Sequence, residues 1–364
     1  MFRAPGSPRR RNLTPTLSTL EGRALLSVMT PHGAHGAAEV ATMEHHHGPN
    51  AMRPGGAPVN FLGTAAAGGY QFVNFDGPSA GTNAGAGTND NGIANSGAAV
   101  GFTIDNSGAF HNFVANPLRS HRLQLLNING STTANAFGIN RAGVVVGTDG
   151  NNHAFFLSHG KVHTFVPTGA SAATAFGIND RGMIVGQDTV NGMMPGFLRV
   201  NGKTFDTINA PSGPNTVNAQ GINNRGLVVG FYVGTDGQDH GFMVNTASVK
   251  GKGPHTFTGT PIADPTIPNV PGEPGATFVF SQVLAVNDKG IAVGYYGDST
   301  TSQHGFIYNT NTGQYTFLDD PSEAFNNGVE VTQITGINNA GEITGFYSDA
   351  SGVFHAFVAN PSGK

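Results

Sequence analysis

The sequence contains no cysteine and no tryptophan, and it is poor in charge. Without cysteine the chain can form no disulfide and can offer no thiolate as a nucleophile or metal ligand. Charged residues make up 11% of the chain, against roughly 25% in ordinary globular proteins. The formal net charge is −4, so the chain lacks the basic face that nucleic-acid phosphates require. No apolar run is long enough to span a bilayer. We therefore expect no nucleic-acid partner and no membrane span.

Glycine is abundant instead, at 54 of 364 residues, which is roughly double its usual share. Much of it belongs to one repeated motif, which is clearest at residues 177–186, Gly-Ile-Asn-Asp-Arg-Gly-Met-Ile-Val-Gly. Six copies begin at Gly92, Gly138, Gly177, Gly221, Ala285 and Gly336. The glycines that end the copies are 46, 39, 44, 64 and 51 residues apart. Periods in this range indicate a propeller or another repeat array.

Each copy of the motif reads as the end of one strand, a tight turn and the start of the next strand. An asparagine followed three residues later by glycine predicts a hairpin with a type I turn, in which the glycine has a positive φ. The apolar run after the turn, such as the three valines at residues 144–146, is typical of a strand buried on both faces. We expect the glycine that ends this run to allow close backbone approach between packed sheets.

A closing strand follows, and in most copies it carries a histidine, a small residue and a phenylalanine. An aromatic strand with Thr-Phe, as at Thr164 and Phe165, precedes the turn motif and is expected to open each copy. Four strands per copy and six copies predict an all-β fold, a six-bladed β-propeller of four-stranded antiparallel blades. The alternative is a β-solenoid, but solenoid coils are usually shorter and lack hairpin turns. We place the propeller at residues 70–361.

Residues 1–69 differ from the repeats in composition. We predict an export leader followed by a largely disordered linker rich in histidine, glycine and proline. Its histidines are crowded together: His32, His35, His45, His46 and His47. Such tracts can bind transition metals, but they lack the defined ligand geometry of a metal site, and we predict none here.

The repeated Gly-Ile-Asn-x-x-Gly-x-Ile-Val-Gly, with His-Ala/Gly-Phe downstream, resembles the HAF family of extracellular repeat proteins. The resemblance covers about residues 70–361 and departs from the family pattern at Ala94, Pro195 and Ala285. Residues 13–27 resemble the LExRxLLS leader found near the start of many exported bacterial proteins. These resemblances imply an exported bacterial protein with a propeller-like fold, and they imply no catalytic residue and no cofactor.

The histidine of the closing strand is the most regular polar residue of the repeats: His111, His153, His240, His304 and His355. A ring of imidazoles could bind a metal or supply a general base. An active site breaks the symmetry of a repeat, however, whereas a constraint of the fold obeys it. We therefore assign these histidines a structural role, bonding the backbone of a neighbouring blade, and we predict no catalytic residue and no metal ligand.

The main departure from the repeat is a proline-rich insertion at residues 259–275, which accounts for the spacing of 64 residues. Long loops on rigid scaffolds often carry binding residues, so Asp264 and Glu273 are candidates for binding. A neutral insertion is the alternative. Aromatic candidates follow the run-ending glycines, with packing between blades as the other interpretation: Tyr232, Tyr295, Tyr296 and Tyr347.

These features predict a monomeric, secreted or cell-surface propeller that binds a glycan or a protein without catalysis or cofactor. The alternative is a hydrolase or lyase of extracellular polysaccharide that uses acids such as Asp319, Glu330 or Glu342. Carboxylates that converge with a histidine in one central funnel would favour the enzyme. A funnel lined by Gly, Asn and Thr would favour binding. Calcium held by Asp/Asn loops is a third alternative.

Overall fold

The computed structural model describes residues 56–212, 216–247, 254–268 and 273–362, and every regular element in these ranges is a β-strand. No helix in these ranges is long and apolar enough to cross a membrane. The predicted leader and the crowded histidines that follow it lie outside the described residues.

We number the repeats by their turn motifs. Three strands precede the first motif: β1 (Ala57–Pro58), β2 (Asn60–Ala67) and β3 (Tyr70–Asp76). Repeat 1 contains β4 (Gly87–Ile93), β5 (Ala99–Ile104), β6 (Phe110–Asn116) and β7 (Arg122–Leu125). Repeat 2 contains β8 (Asn135–Ile139), β9 (Val145–Thr148), β10 (Ala154–Ser158) and β11 (Lys161–Phe165). Repeat 3 contains β12 (Ala172–Ile178), β13 (Ile184–Thr189), β14 (Gly196–Val200) and β15 (Thr204–Asn209).

Repeat 4 contains β16 (Val217–Ile222), β17 (Leu227–Val233) and β18 (Asp239–Asn245). Two short strands follow it, β19 (Thr256–Thr258) and β20 (Thr260–Pro261). Repeat 5 contains β21 (Phe278–Val286), β22 (Ile291–Asp298), β23 (Gln303–Asn309) and β24 (Gln314–Phe317). Repeat 6 contains β25 (Thr332–Ile337), β26 (Ile343–Ser348) and β27 (Phe354–Pro361).

The strands of each repeat form an antiparallel sheet in chain order. Repeat 2 (β8 to β11), repeat 4 (β16, β17, β18 and β20) and repeat 5 (β21 to β24) are four-stranded, and repeat 3 gains β19 as a fifth, parallel strand. The strands of repeats 1 and 6 belong to one ten-stranded sheet, in which β27 and β4 share a single parallel pair, Phe354 with Gly87. The prediction of an all-β fold with four-stranded antiparallel sheets is confirmed.

The turn between the first two strands of a repeat has the predicted geometry. In repeat 2 the Gly143 amide donates to the Asn140 carbonyl at 2.9 Å, and the Asn140 amide donates to the Val144 carbonyl at 3.1 Å. Gly143 has a φ of 76°, a left-handed conformation that costs a residue with a Cβ about 1–2 kcal/mol. The strand after the turn, β9, is buried along its whole length, as the valine run predicts.

The glycine that ends each apolar run makes its close approach within one sheet, so the prediction of an approach between packed sheets is wrong. A Cβ on Gly147 would lie 1.9 Å from the Asn135 carbonyl oxygen on the paired strand β8 and 2.7 Å from Phe155 Cε1. A β-bulge in β8 interrupts the register at this point. The approach between sheets belongs to the first glycine of the motif, since a Cβ on Gly138 would lie 2.6 Å from the Phe176 carbonyl oxygen of repeat 3.

The aromatic strand belongs to the sheet before it, which corrects the predicted strand order. Thr164 and Phe165 lie in β11, the outermost strand of repeat 2, and do not open repeat 3. The corresponding strand before repeat 1, β3, has no preceding repeat to join. It pairs instead with β27 of repeat 6, from Tyr70 opposite Pro361 to Phe75 opposite Ala356. The last sheet therefore takes its outer strand from the N-terminal side of the chain.

Each repeat packs on the next one, and repeat 6 packs on repeat 1. The contacts run from β5 to β8, from β9 to β12, from β13 to β16, from β17 to β21, from β22 to β25 and from β26 to β4. The phenylalanines of the closing strands fill these interfaces and are at most 2% exposed: Phe113, Phe155, Phe197, Phe242, Phe306 and Phe357. Each lies in an apolar cluster drawn from two consecutive repeats, with repeats 6 and 1 counted as consecutive.

Regular structure begins earlier than the predicted boundary between residues 69 and 70. β1 pairs with β7 of repeat 1, and β2 forms a hairpin with β3. The linker prediction is therefore wrong for residues 57–67, which lie in or between these two strands.

Candidate functional site

The asparagine of the turn motif bonds each repeat to the next one. Asn140 Nδ2 donates to the Asn179 carbonyl at 3.2 Å. The series continues from Asn179 to Asn223 at 3.0 Å, from Asn223 to Asn287 at 2.9 Å, from Asn287 to Asn338 at 3.1 Å and from Asn338 to Ala94 at 3.1 Å. The last bond joins repeat 6 to repeat 1. The series is interrupted only after Ala94, because alanine has no amide to donate.

A cavity of about 60 Å³ is faced by the residues that follow Ala94 and four of these asparagines: Asn95, Asp180, Asn224, Asp288 and Asn339. Within the described part of the chain, the cavity is lined by asparagine, isoleucine, alanine and valine, and its acids are Asp180 and Asp288. Asp180 Oδ2 accepts from the amides of Asn95 at 2.7 Å and Asn224 at 3.1 Å. Asp288 Oδ2 accepts from those of Asn224 at 3.0 Å and Asn339 at 2.6 Å. Because side-chain amides already occupy both carboxylates, this cavity holds no acid–base pair.

The histidine of each closing strand lies beside an aspartate that precedes that strand, in the loop before it or, for Asp298, at the end of β22. The nitrogen–oxygen distances are 2.9 Å for His111 and Asp105, 2.9 Å for His153 and Asp149, 3.1 Å for His240 and Asp236, 3.9 Å for His304 and Asp298, and 3.4 Å for His355 and Asp349. The structure therefore places these five histidines against carboxylates of their own repeat, where the sequence had suggested a neighbouring backbone. His355 also pairs with Asp76 of β3 at 3.1 Å.

Repeat 3 keeps this aspartate and lacks the histidine. Its acid is Asp188, and Pro195 occupies the place of the histidine. Asp188 is buried, and its Oδ1 has no hydrogen-bond partner among the described residues. Burial raises the pKa of Asp188 to about 6, because the charged form loses its hydration.

An Asp188→Asn variant should be more stable than the parent at pH 7, by about 1–2 kcal/mol in free energy of unfolding. The folded pKa of Asp188 lies above its unfolded value, so the parent loses stability as the pH rises from about 4 to about 6. The stability of the variant should not fall over this pH range, because asparagine does not ionise. Urea unfolding at pH 4 and pH 7 measures both effects.

The control is Asp349→Asn in repeat 6, where the histidine is present. Hydrogen bonds, among them the one to His355, hold the pKa of Asp349 below its usual value although burial opposes them. This substitution should lower stability at pH 7. If both variants are more stable than the parent at pH 7, the assignment of Asp188 as an acid that lacks its histidine partner is contradicted.

Two predicted candidates meet at His240 in repeat 4. Asp264 of the insertion pairs with His240 Nδ1 at 3.0 Å, while Asp236 pairs with Nε2 at 3.1 Å. The ring of Tyr232, which is half-buried, lies 5.9 Å from the imidazole. Burial alone would lower the pKa of His240, but the hydrogen bonds to the two aspartates outweigh it and raise that pKa above its usual value. Asp236 and Asp264 keep 55% and 35% of their side-chain surface exposed, so this cluster is open to solvent.

The third candidate, Glu273, meets His304 in repeat 5. Glu273 Oε2 lies 3.2 Å from His304 Nε2, and its Oε1 accepts from Thr300 Oγ1 at 2.9 Å and from Ser302 Oγ. Asp319 Oδ2 lies 3.0 Å from His304 Nδ1. The His304 side chain is only 1% exposed. The cluster around it is therefore buried, in contrast to the solvent-exposed cluster at His240.

Further acids surround His304. Burial, reinforced by the charge of Asp319, raises the pKa of Glu323 to about 9. Burial also raises the pKa of Glu330 to about 7. For His304, burial favours the neutral ring, but the hydrogen bond to Asp319 and the surrounding carboxylates raise its pKa to about 9. We call the group of Glu273, Asp298, His304, Asp319, Glu323 and Glu330 the His304 cluster.

The remaining candidates lie elsewhere. Tyr295, Tyr296 and Tyr347 are at most 5% exposed and pack inside the sheets, so they present no ring to solvent. Asp319 and Glu330 join the His304 cluster, but Glu342 does not. Glu342 pairs with Arg119 at 2.9 Å beside the turn of repeat 6.

A Gly-Pro-Ser-Ala-Gly sequence at residues 77–81 follows β3, and its Ser79 has a φ of 67°. A serine nucleophile elbow stands between a strand and a helix. The described residues form no helix after β3, so this serine lacks that setting.

Sequence reasoning overlooked Asp298. For Asp298 a signal was available, because an aspartate stands four or six residues before every closing-strand histidine. Glu323 is visible in the sequence among the acids that flank Pro321, but nothing there places it beside His304.

No family model matches the chain, and no curated protein does. Among solved structures, TolB from Acinetobacter baumannii has a TM-score of 0.44 at 9% identity, covering 73% of this chain, which spans 64% of the TolB chain. The β-propeller domain of the Trilobed protease from Pyrococcus furiosus has a TM-score of 0.42 at 7% identity, covering 85% of this chain and 95% of that domain. The fucose-specific lectin from Aleuria aurantia has a TM-score of 0.40 at 10% identity, covering 72% of this chain and 96% of the lectin.

Proposed function

We propose that the chain is a six-bladed propeller of the HAF type, exported from a bacterial cell, that binds a glycan without catalysis. The six-blade reading is supported by the closed order of contacts from repeat 1 to repeat 6 and back to repeat 1. It is also supported by the bond from Asn338 to Ala94, which links the two ends of the series. Export rests on the resemblance of residues 13–27 to a bacterial leader.

The observation that carries the binding proposal is the open cluster at His240. Asp236 and Asp264 both pair with one imidazole, and their side chains remain partly exposed. Carboxylate oxygens accept hydrogen bonds from sugar hydroxyls, and the half-buried ring of Tyr232 offers an apolar face beside them. His355 of repeat 6 also pairs with two aspartates, but only the cluster at His240 takes one of them, Asp264, from the insertion. A loop carried on a rigid sheet is a usual place for recognition.

The hydrolase or lyase alternative draws less support from the described residues. Asp319 and Glu330 do converge on a histidine, but the His304 side chain is only 1% exposed, so its ring is not open to a sugar. The acids that line the central cavity, Asp180 and Asp288, are both occupied by asparagine amides. Binding by a surface cluster therefore explains the arrangement better than catalysis does.

A glycan array probed with the full-length chain tests the proposal. We expect binding of at least one glycan class, and we expect Tyr232→Ala and Asp264→Asn each to weaken it by tenfold or more, about 1.4 kcal/mol. Asp105→Asn is the matched control, because Asp105 makes the same kind of histidine pair in repeat 1 and should leave binding unchanged. If no glycan on the array binds, or if binding is the same in the parent and in both variants, the proposal that this cluster binds a glycan is contradicted. Capture of a protein ligand that depends on Tyr232 would reassign the same surface to protein.

A further inference from the structure

Repeat 5 is where the histidine–aspartate pair breaks the symmetry of the repeats. In repeats 1 and 2 the histidine has one carboxylate partner, and in repeats 4 and 6 it has two. His304 has its own Asp298 and Asp319, and it gains Glu273 from the insertion and Glu330 from the segment before β25. Those two glutamates come from outside the repeating unit.

The orientation of the His304 ring suits a metal ligand. Its Nδ1 donates to Asp319 Oδ2 at 3.0 Å, which leaves Nε2 turned toward Glu273 at 3.2 Å and Asp298 at 3.9 Å. A carboxylate that holds one ring nitrogen so that the other can bind a cation is the usual arrangement behind a metal-bound histidine. One ligand atom each from His304, Glu273 and Glu330 lies within 4.8 Å of the others. Tetrahedral metal–ligand bonds of about 2.0–2.2 Å place ligand atoms about 3.4 Å apart, so these side chains would have to draw closer together around a bound ion.

One carboxylate oxygen of the cluster lacks a partner, although the other oxygen of the same residue accepts from Thr300. Asp298 Oδ2 is buried and has no hydrogen-bond partner among the described residues. Glu330 is buried as well, and its backbone amide donates to Ser302 Oγ at 3.2 Å, which holds the residue beside the other acids. No lysine or arginine in the described residues forms an ion pair with any acid of the His304 cluster. Five carboxylates therefore face one imidazole, and buried charge in such excess needs a neutralising cation or protons.

We infer that this chain binds one divalent transition-metal ion at the His304 cluster, with His304 Nε2, Glu273 and Glu330 as ligands and Asp298 as the fourth. One imidazole and three carboxylates suit Zn²⁺ or Mn²⁺. Ca²⁺ prefers six to eight oxygen ligands, about twice the number that this cluster can supply, and no nitrogen. The burial of the ligands indicates a closed, structural site that fastens the insertion and the start of repeat 6 to repeat 5.

The test uses the full chain, depleted of metal by chelator and then titrated with ZnCl₂ or MnCl₂. We expect one equivalent to bind per chain and to raise the melting temperature, because a cation that binds only the folded state stabilises it. Glu273→Gln and Glu330→Gln preserve size and should each weaken this binding at least about tenfold. They should also abolish the rise in melting temperature.

His153→Asn is the matched control, because His153 has only Asp149 as a partner, and it should retain the full metal effect. The crowded histidines before residue 56 are present in every variant and cancel in the comparison. The inference is overturned if neither ion raises the melting temperature of the parent. It is equally overturned if the two glutamate variants respond like the parent, or if only CaCl₂ gives the effect.

Discussion

A Gly147→Ala variant should lose about 3 kcal/mol or more of its free energy of unfolding. The added Cβ would lie 1.9 Å from the Asn135 carbonyl oxygen and 2.7 Å from Phe155 Cε1. Neither neighbour can move easily, because the carbonyl belongs to the paired strand and the ring is fully buried between repeats 1 and 2. Chemical denaturation of parent and variant, monitored by circular dichroism, measures the loss.

The control for this substitution is Gly160→Ala in the β10–β11 hairpin of the same repeat. Gly160 has a φ of 76°, and a Cβ there would meet nothing within 4 Å. Its replacement should cost only the backbone strain of a left-handed residue, about 1–2 kcal/mol. Equal losses at the two positions would mean that the sheet relaxes around Gly147, and the close approach would not explain why each apolar run ends in glycine.

Local features of the repeat could be predicted from the sequence because their causes lie within a few residues. The Asn-x-x-Gly turn depends on one asparagine side chain and one glycine φ. The apolar run after the turn indicates by its composition alone that the strand is buried. The order of strands could not be read in this way. Thr164 and Phe165 stand between two repeats in sequence, and only the pairing with β10 assigns them to repeat 2. This aromatic strand joins the sheet of the preceding repeat, and in the same way β3 joins the sheet of repeat 6.

The candidate sites depended on contacts that the sequence does not display. Asp264 and Glu273 could be selected because the insertion breaks the period, but their partners could not be named. Glu273 lies 31 residues before His304, and nothing local distinguishes that histidine from His153. The symmetry argument treated the five histidines alike and did not anticipate that His304 would collect extra acids.

The turn-motif asparagines join repeats that lie far apart in sequence, so their loss should be costly. Asn287 is buried, and its Nδ2 donates to the Asn338 carbonyl 51 residues away. Its Oδ1 accepts from the amides of Lys289 at 3.0 Å and Ile291 at 3.1 Å. An Asn287→Ala variant leaves all three groups without these bonds and should lose about 2–4 kcal/mol in free energy of unfolding.

The complementary substitution is Ala94→Asn, which restores the motif in repeat 1 beside the central cavity. The new amide should donate to the Asn140 carbonyl and complete the series, raising stability by about 1 kcal/mol. Asn151→Ala, at an exposed turn, is the control and should change stability by less than about 0.5 kcal/mol. Denaturant unfolding of the three variants gives the result. If Asn287→Ala behaves like Asn151→Ala, the asparagine series does not hold the repeats together, and packing of the phenylalanines alone must close the ring.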